Sequence, residues 1–409
     1  MAVAELIQGV PLKVRLRRAE RTKQIRALML VAPLFLFILV TFLLPIGALL
    51  FRSVENPELP QYLTQTIPAI ASWDGKELPD ETVFAAFAAD LKVAQDKRVT
   101  AEIGKRVNYE LPGTRSKILK TGREIAKLQT GPYKDAFLSI DPIWGDIGTW
   151  AVIKRASAPY TVFYWLNAID RQQDASGDIV RVEAQQAVFV DVYGRTFAIA
   201  GIVTLCTLIL GFPVAYLLAS LPTKTANLLM ILVLVPFWTS LLVRTTAWFV
   251  LLQSNGIIND IADALFHHRF EMIFTRFGTI LAMTHIQLPF TLLPIYSVMK
   301  TIPASHVRAA RSLGAGPFYA FWTVYFPQTV PGIAAGCLLT FILCLGYYIT
   351  PALVGGPTDQ LVSSWVAYYM NSQISYGHAA ALGAVLLIAT LVLYWLYNKL
   401  VGIDKMKLG

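Results

Sequence analysis

At 409 residues the chain is long enough for two or three soluble domains, yet 55% of it is hydrophobic and only 15% charged. The formal net charge is +9, and the charges are segregated: runs of about 20 residues nearly free of Asp, Glu, Lys and Arg suffice to cross a hydrocarbon layer about 30 Å thick, which excludes ordinary soluble packing. Cys206, Cys337 and Cys344 all lie within apolar runs, which excludes a disulfide or zinc framework in any external segment.

The chain opens on a basic segment, residues 1–26, in which Lys13, Arg15, Arg17, Arg18, Arg21, Lys23 and Arg26 are opposed only by Glu5 and Glu20. Set against an apolar run at residues 27–51, this cluster reads as a marker of the cytoplasmic side and not as a nucleic-acid arm. The run is about 25 residues long and no small-residue cleavage pattern follows it, so a retained membrane anchor is expected.

Residues 52–192 have nearly balanced charges and read as a mainly helical soluble domain. Asp80 is placed to cap a helix whose Phe84, Phe87, Leu91 and Ala94 share one face, and Ile118, Ile125 and Leu128 mark a second. Trp144, Trp150 and the run Phe163-Tyr164-Trp165 offer large surfaces to its core or to a partner.

Five further apolar runs follow at residues 193–220, 226–252, 277–300, 330–350 and 379–401. With the N-terminus inside, Lys224, the loop bearing Lys300, Arg308 and Arg311, and the C-terminal end with Lys399, Lys405 and Lys407 all fall in the cytoplasm. Every short basic loop then satisfies the positive-inside bias. Residues 52–192 fall outside despite their Lys and Arg, because loops beyond about 60 residues translocate largely regardless of charge.

The expected fold class is an all-α polytopic membrane protein. It has six transmembrane helices, a large extracytoplasmic insertion between the first two, and a cytoplasmic tail at residues 402–409. Breaks in the spans are expected at Pro33, Pro45, Gly211, Pro213, Pro236, Pro289, Pro294, Gly336 and Gly346.

Within the spans, polar residues are the candidates for a solute path. Arg244 sits toward the outer end of the third run among Trp238, Thr239, Ser240 and Thr245, either facing solute or snorkelling to the interface. Thr284, His285 and Gln287 lie near mid-membrane on the fourth, where interhelical hydrogen bonding competes with solute contact. Tyr347 and Tyr348 end the fifth as gating or anchoring residues. The pair His267 and His268 reads as solvated loop, since adjacent histidines do not readily converge on a metal. No nucleophile and base arrangement indicates catalysis.

Between the fourth and fifth runs, residues 301–327 carry Ala309, Ala310, Gly314, Val324, Phe326 and Pro327. This spacing resembles the cytoplasmic loop of ABC import permeases: Glu-Ala-Ala, three residues, Gly, nine residues, Ile, one residue, Leu-Pro. Arg308 occupies the glutamate position. The loop can form a short helix with Val307, Ala310 and Leu313 on one side and Gly314 as its stop. The resemblance assigns Arg308, Ala309, Ala310, Arg311, Leu313 and Gly314 to coupling with an ATPase. The run Leu232-Val-Leu-Val-Pro-Phe-Trp-Thr-Ser-Leu-Leu-Val-Arg-Thr-Thr-Ala-Trp248, followed by Gly256-Ile-Ile-Asn259, with Ala32-Pro33, Leu44-Pro45 and Gly211-Phe-Pro-Val-Ala-Tyr216, is similar to the spermidine/putrescine-type permeases.

The resemblance implies a type I importer in the bacterial inner membrane, with both termini cytoplasmic and residues 193–401 as the permease core. Its partners are ABC ATPase subunits, a second related permease and an extracytoplasmic solute-binding protein. The chain lacks a Walker loop, so no cofactor is expected in it; ATP and Mg would be bound by the partner ATPase. The solute would be small and polar, with polyamines as candidates. A polytopic receptor is the first alternative, though no cytoplasmic output domain is offered. A secondary transporter is the second, against which stand the acid-poor spans and the lack of inverted repeats.

Overall fold

The computed structural model describes residues 12–401. Glu5 and the tail expected at residues 402–409, with Lys405 and Lys407, lie outside the described residues.

The N-terminal unit, described over residues 12–52, is one long helical rod that is basic up to Arg26 and apolar beyond it. It consists of α1 (Leu12–Ile38), a π turn at Leu39–Leu43, and α2 (Leu44–Phe51). Pro33 lies inside α1 without ending it. The π turn precedes Pro45, whose ring cannot supply a helical N–H, and Thr41 Oγ1 donates to the Phe37 carbonyl at 2.7 Å. None of its described side chains is buried, the pattern of a helix whose solvent is lipid.

In the second unit, the segment after Ser53 forms α3 (Thr66–Ala71), α4 (Glu81–Asp96), α5 (Thr100–Glu110), α6 (Thr114–Lys127), α7 (Tyr133–Ile140), α8 (Ile147–Ala156) and α9 (Phe163–Asn167). A short antiparallel hairpin, β1 (Arg171–Gln173) and β2 (Ile179–Arg181), pairs Arg171 with Arg181. Phe84, Phe87 and Leu91 of α4 meet Ile118 and Ile125 of α6, with Phe137, Trp144 and Trp150 closing one core. The Phe84 and Trp150 rings are 4.6 Å apart. Trp150 Nε1 donates to the Trp144 carbonyl and Trp144 Nε1 to Thr121, so both indoles are buried with their N–H groups satisfied.

Two details differ from the sequence expectation. Asp80 occupies the N-cap position of α4, but its side chain makes no cap hydrogen bond. The neighbouring Glu81 carboxylate turns away instead and accepts from the Tyr133 and Lys134 amides at the start of α7. Leu128 lies beyond the end of α6 in extended backbone and stays 37% exposed, because the helical period that would bury it has stopped.

The membrane portion comprises α10 (Phe189–Ser220), α11 (Thr223–Leu234), α12 (Leu241–Leu251), α13 (Ile257–Phe266), α14 (Arg276–Thr301), α15 (Ala304–Ser312), α16 (Pro317–Ala320), α17 (Phe326–Leu345), α18 (Ile349–Val354), α19 (Val362–Asn371) and α20 (Tyr376–Val401). Helix α14 is central, with α10 and α17 packed along it. Thr291 of α14 bonds Thr207 of α10 at 2.8 Å and Thr340 of α17 at 2.6 Å. Gly332 and Gly336 let α17 approach closely: a Cβ at Gly336 would lie 2.5 Å from the Thr291 carbonyl oxygen.

Among the described residues, five helices are long and apolar enough to cross a membrane, and a sixth crossing exists if the bent pair α11 and α12 counts as one span. The third run is therefore not one continuous helix over 226–252. A 3-10 turn at Val235–Trp238 and extended Thr239 break it, and the two halves meet at 95°. Pro236 withdraws a helical donor, while Ser240 restarts the chain by accepting from the Val243 amide.

Most of the other expected breaks are absent. Gly211, Pro213, Pro289, Pro294 and Gly336 sit within continuous helices. Proline inside a packed membrane helix is accommodated by its neighbours. The break at Gly346 does occur, ending α17 at Leu345.

Candidate functional site

The polar residues of the spans fall into two settings. Thr239 and Ser240 build the break before α12, where Thr239 Oγ1 donates to the Pro236 carbonyl at 2.8 Å. Trp238, at the same bend, is 76% exposed. These three shape the bend, and their side-chain bonds stay local.

Arg244 stands on the first turn of α12, one turn before Trp248, which meets His285 of α14. Thr245 is fully buried and bonds Thr350 of α18 at 3.1 Å. Trp248 Nε1 donates to His285 Nδ1 at 3.1 Å, which makes that nitrogen an acceptor and leaves Nε2 as the protonated one. Tyr347 and Tyr348 follow the end of α17 in the break at Gly346, not on the fifth span, because the helix stops at Leu345. Tyr348 is exposed.

Deeper along α14, Thr284 and Gln287 are buried, and neither the Thr284 hydroxyl nor the two Gln287 amide atoms find a hydrogen-bond partner. The Cys344 thiol lies beside Gln287 without meeting the geometry of a bond to its amide. Arg244 Nε is also buried and unpartnered. A wall with one cation and several unsatisfied neutral polar atoms suits water or a polar solute better than lipid. Trp248 and Thr350 were not apparent in the sequence as site residues. The contacts of each come from another element.

The second setting is the connection from α14 to α17. Helix α15 has no buried residue. Its last carbonyls are closed by Leu313 and Gly314 amides bonding to Ala309 and Arg311, and Gly314 takes φ +93°, a left-handed stop that glycine adopts without penalty. Val307 and Ala310 are partly covered, Arg308, Ala309 and Arg311 are exposed, and Leu313 is 90% exposed. His306 Nδ1 lies 3.0 Å from Gln328 Oε1, tying the helix to the foot of α17. Phe318 and Tyr319 are exposed beside it.

Residues 188–401 match the family described as the binding-protein-dependent transport system inner membrane component. The chain belongs to this family. The match starts at the beginning of α10, and the helical segment before it lies outside the matched residues. The permease is 32% identical over 220 residues to the spermidine/putrescine transport system permease protein PotB of Haemophilus influenzae, covering 53% of this chain and 77% of that one. PotB of Escherichia coli is equally similar, with 80% of its length covered. A probable sulfate transport system permease protein of Prototheca wickerhamii is 28% identical over 218 residues, 53% of this chain and 84% of the relative. The permease is thus a multi-pass inner-membrane subunit of an ABC importer.

Proposed function

We propose that this permease is one of two membrane-spanning halves of a type I importer driven by a separate ATPase. The observation that carries the reading is α15: a short helix on a connection between two spans, with no buried residue and a left-handed glycine stop at Gly314. An exposed helix so terminated is a rigid body suited to seat in a groove of a soluble subunit. Its tie to α17 through His306 and Gln328 gives motion of that subunit a path to the membrane helices.

In this reading Arg308, Ala309, Ala310, Arg311, Leu313 and Gly314 form the coupling element, and ATP and Mg are bound by the ATPase. The chain crosses the membrane six times, the bent pair α11 and α12 counting as one crossing, with both termini in the cytoplasm. Residues 52–192 then lie outside, over the mouth of the path, where an extracytoplasmic binding protein delivers its load. Arg244, Thr245, Thr284, His285, Gln287 and Tyr347 line this subunit's share of the path, with Trp238, Thr239, Ser240 and Tyr348 nearer its ends. The solute is small and polar, and the names of the relatives make spermidine and putrescine the first to assay.

The test is reconstitution of the permease with its ATPase, second permease and binding protein in vesicles. ATP hydrolysis stimulated by the loaded binding protein, together with solute uptake, is expected. Uptake driven by an ion gradient without ATP would overturn the proposal.

A further inference from the structure

Arg244 is the starting point, because a guanidinium inside a membrane segment requires a countercharge, a strong set of acceptors, or water. Its Nε is buried and donates to no partner. His285 Nδ1 is already occupied by Trp248, and Thr245 beside it by Thr350.

Among the described residues, the candidate spans from α10 onward offer no carboxylate. From residue 193 to residue 401 the only acids are Asp260, Asp263, Glu271 and Asp359, and all four lie outside the candidate spans. Asp260 and Asp263 pair with Arg269 at 3.0 and 3.4 Å. Asp359, buried, pairs with Arg276 at 2.9 Å. Meanwhile the same end of α12 exposes Leu242 and Val243, an apolar collar around the charge. Lipid covers such a collar but cannot neutralise the guanidinium within it, whereas a protein surface with one acid among apolar residues does both.

We infer that this end of α12 docks against the second permease subunit and that a carboxylate of that subunit neutralises Arg244. The inference rests on the two-permease reading above. It also excludes a second copy of this chain as the partner at this face: a two-fold axis would present the same acid-free wall, bringing cation to cation. The two walls of the path are therefore unlike in charge. This chain supplies the cation and neutral acceptors, and the partner supplies the acid, which is free to exchange Arg244 for a cationic solute as the path opens.

The experiment uses the assembled importer. Arg244→Lys places a primary amine where a carbodiimide can join it to a touching carboxylate, and peptide mass spectrometry is expected to find a cross-link from position 244 to an Asp or Glu of the second permease, absent from the wild type. Arg244→Ala is expected to raise at least tenfold the concentration below which the two permeases separate in detergent, while this chain keeps its ATPase. If position 244 gives no cross-link to the second permease and Arg244→Ala leaves association unchanged, the inference is overturned. Unchanged association with a tenfold weaker apparent affinity for solute would also overturn it, assigning the charge to solute. Should the wild-type assembly contain no second permease at all, the two-permease reading fails first, and this inference with it.

Discussion

His378 of α20 lies flat against Tyr369 of α19, ring centroids 4.7 Å apart and planes 8° from parallel. Around this stack stand Tyr109 of α5, at 4.8 Å, and Phe163 and Tyr164 of α9, at 5.5 and 4.9 Å, each edge-on to the imidazole. Arg106 rides over Phe163 at 5.0 Å and is held by Asn56 and Glu110. The segment before α10 is thus clasped to the turn between α19 and α20. Excising all of residues 52–192 would strip a buried aromatic face from the membrane core as well as removing any surface offered to the binding protein.

This clasp has a tight point at Gly377, where a Cβ would come 2.5 Å from the Tyr164 ring. Gly377→Ala is expected to lower the stability of the purified permease by about 1–3 kcal/mol, the usual range for overpacking a core. Thermal unfolding in detergent measures it. Tyr164→Leu in the same background should recover part of the loss, since neighbouring changes are not additive, and a fully additive pair would show that the contact is not the cause.

Glu58 has a partly buried carboxyl with one oxygen unpartnered, and burial raises its pKa, against the pull of Arg106 and Lys105. The folded state therefore holds this proton more tightly than the unfolded chain. Its contribution is most favourable below the ordinary carboxylate range and declines as pH rises through the folded value. Glu58→Gln should raise the unfolding midpoint at neutral pH, with the gain vanishing as pH falls below the carboxylate range. A gain that persists in acid would mean the effect is not electrostatic.

Gly314 has open space around it but φ +93°, so a substitution there strains the backbone without a clash. Gly314→Leu costs about 1–2 kcal/mol of left-handed strain, borne by an exposed turn. Expression should be nearly intact, with ATP hydrolysis no longer matched by uptake. Gly314→Asn, which tolerates this conformation better, should retain more transport. Equal transport by wild type and Gly314→Leu would reduce the turn to a connector.

Gly336 sits where a Cβ meets the Thr291 carbonyl. Gly336→Ala forces α17 off α14 and strains the Thr207, Thr291 and Thr340 bonds, with an expected loss of about 1–3 kcal/mol. The same change at Gly383, where nothing lies within 4 Å, is the control. Comparable midpoints for the two variants would count against the close approach.

The side of the membrane reached by α15 depends on whether α11 and α12 together cross. If the bent pair crosses, reporter fusions at Gly256 and Val192 are on one side and a fusion at Gly314 on the other. If the pair re-enters, Gly256 and Val192 separate and Gly314 joins Val192. Alkaline phosphatase activity at Gly314 would place α15 outside and end its coupling role.

The membrane character of the chain, the helical faces through Phe84, Phe87 and Leu91, and the stop at Gly314 were legible in the sequence because each depends on composition or spacing within a few residues. Family membership was legible for the same reason, carried by Ala309, Ala310, Gly314 and Pro327 on a fixed spacing. The fate of the prolines was not, since Pro236 bends its helix by 95° while Pro289 and Pro294 leave α14 continuous. What differs is the packing around each, which no local window contains. Tertiary structure alone set Trp248 against His285, Thr245 against Thr350, and His378 within a ring drawn from α5, α9 and α19. A hydrogen bond or ring contact acts over a few ångströms, and residues far apart in sequence come within that range only when the helices carrying them have packed.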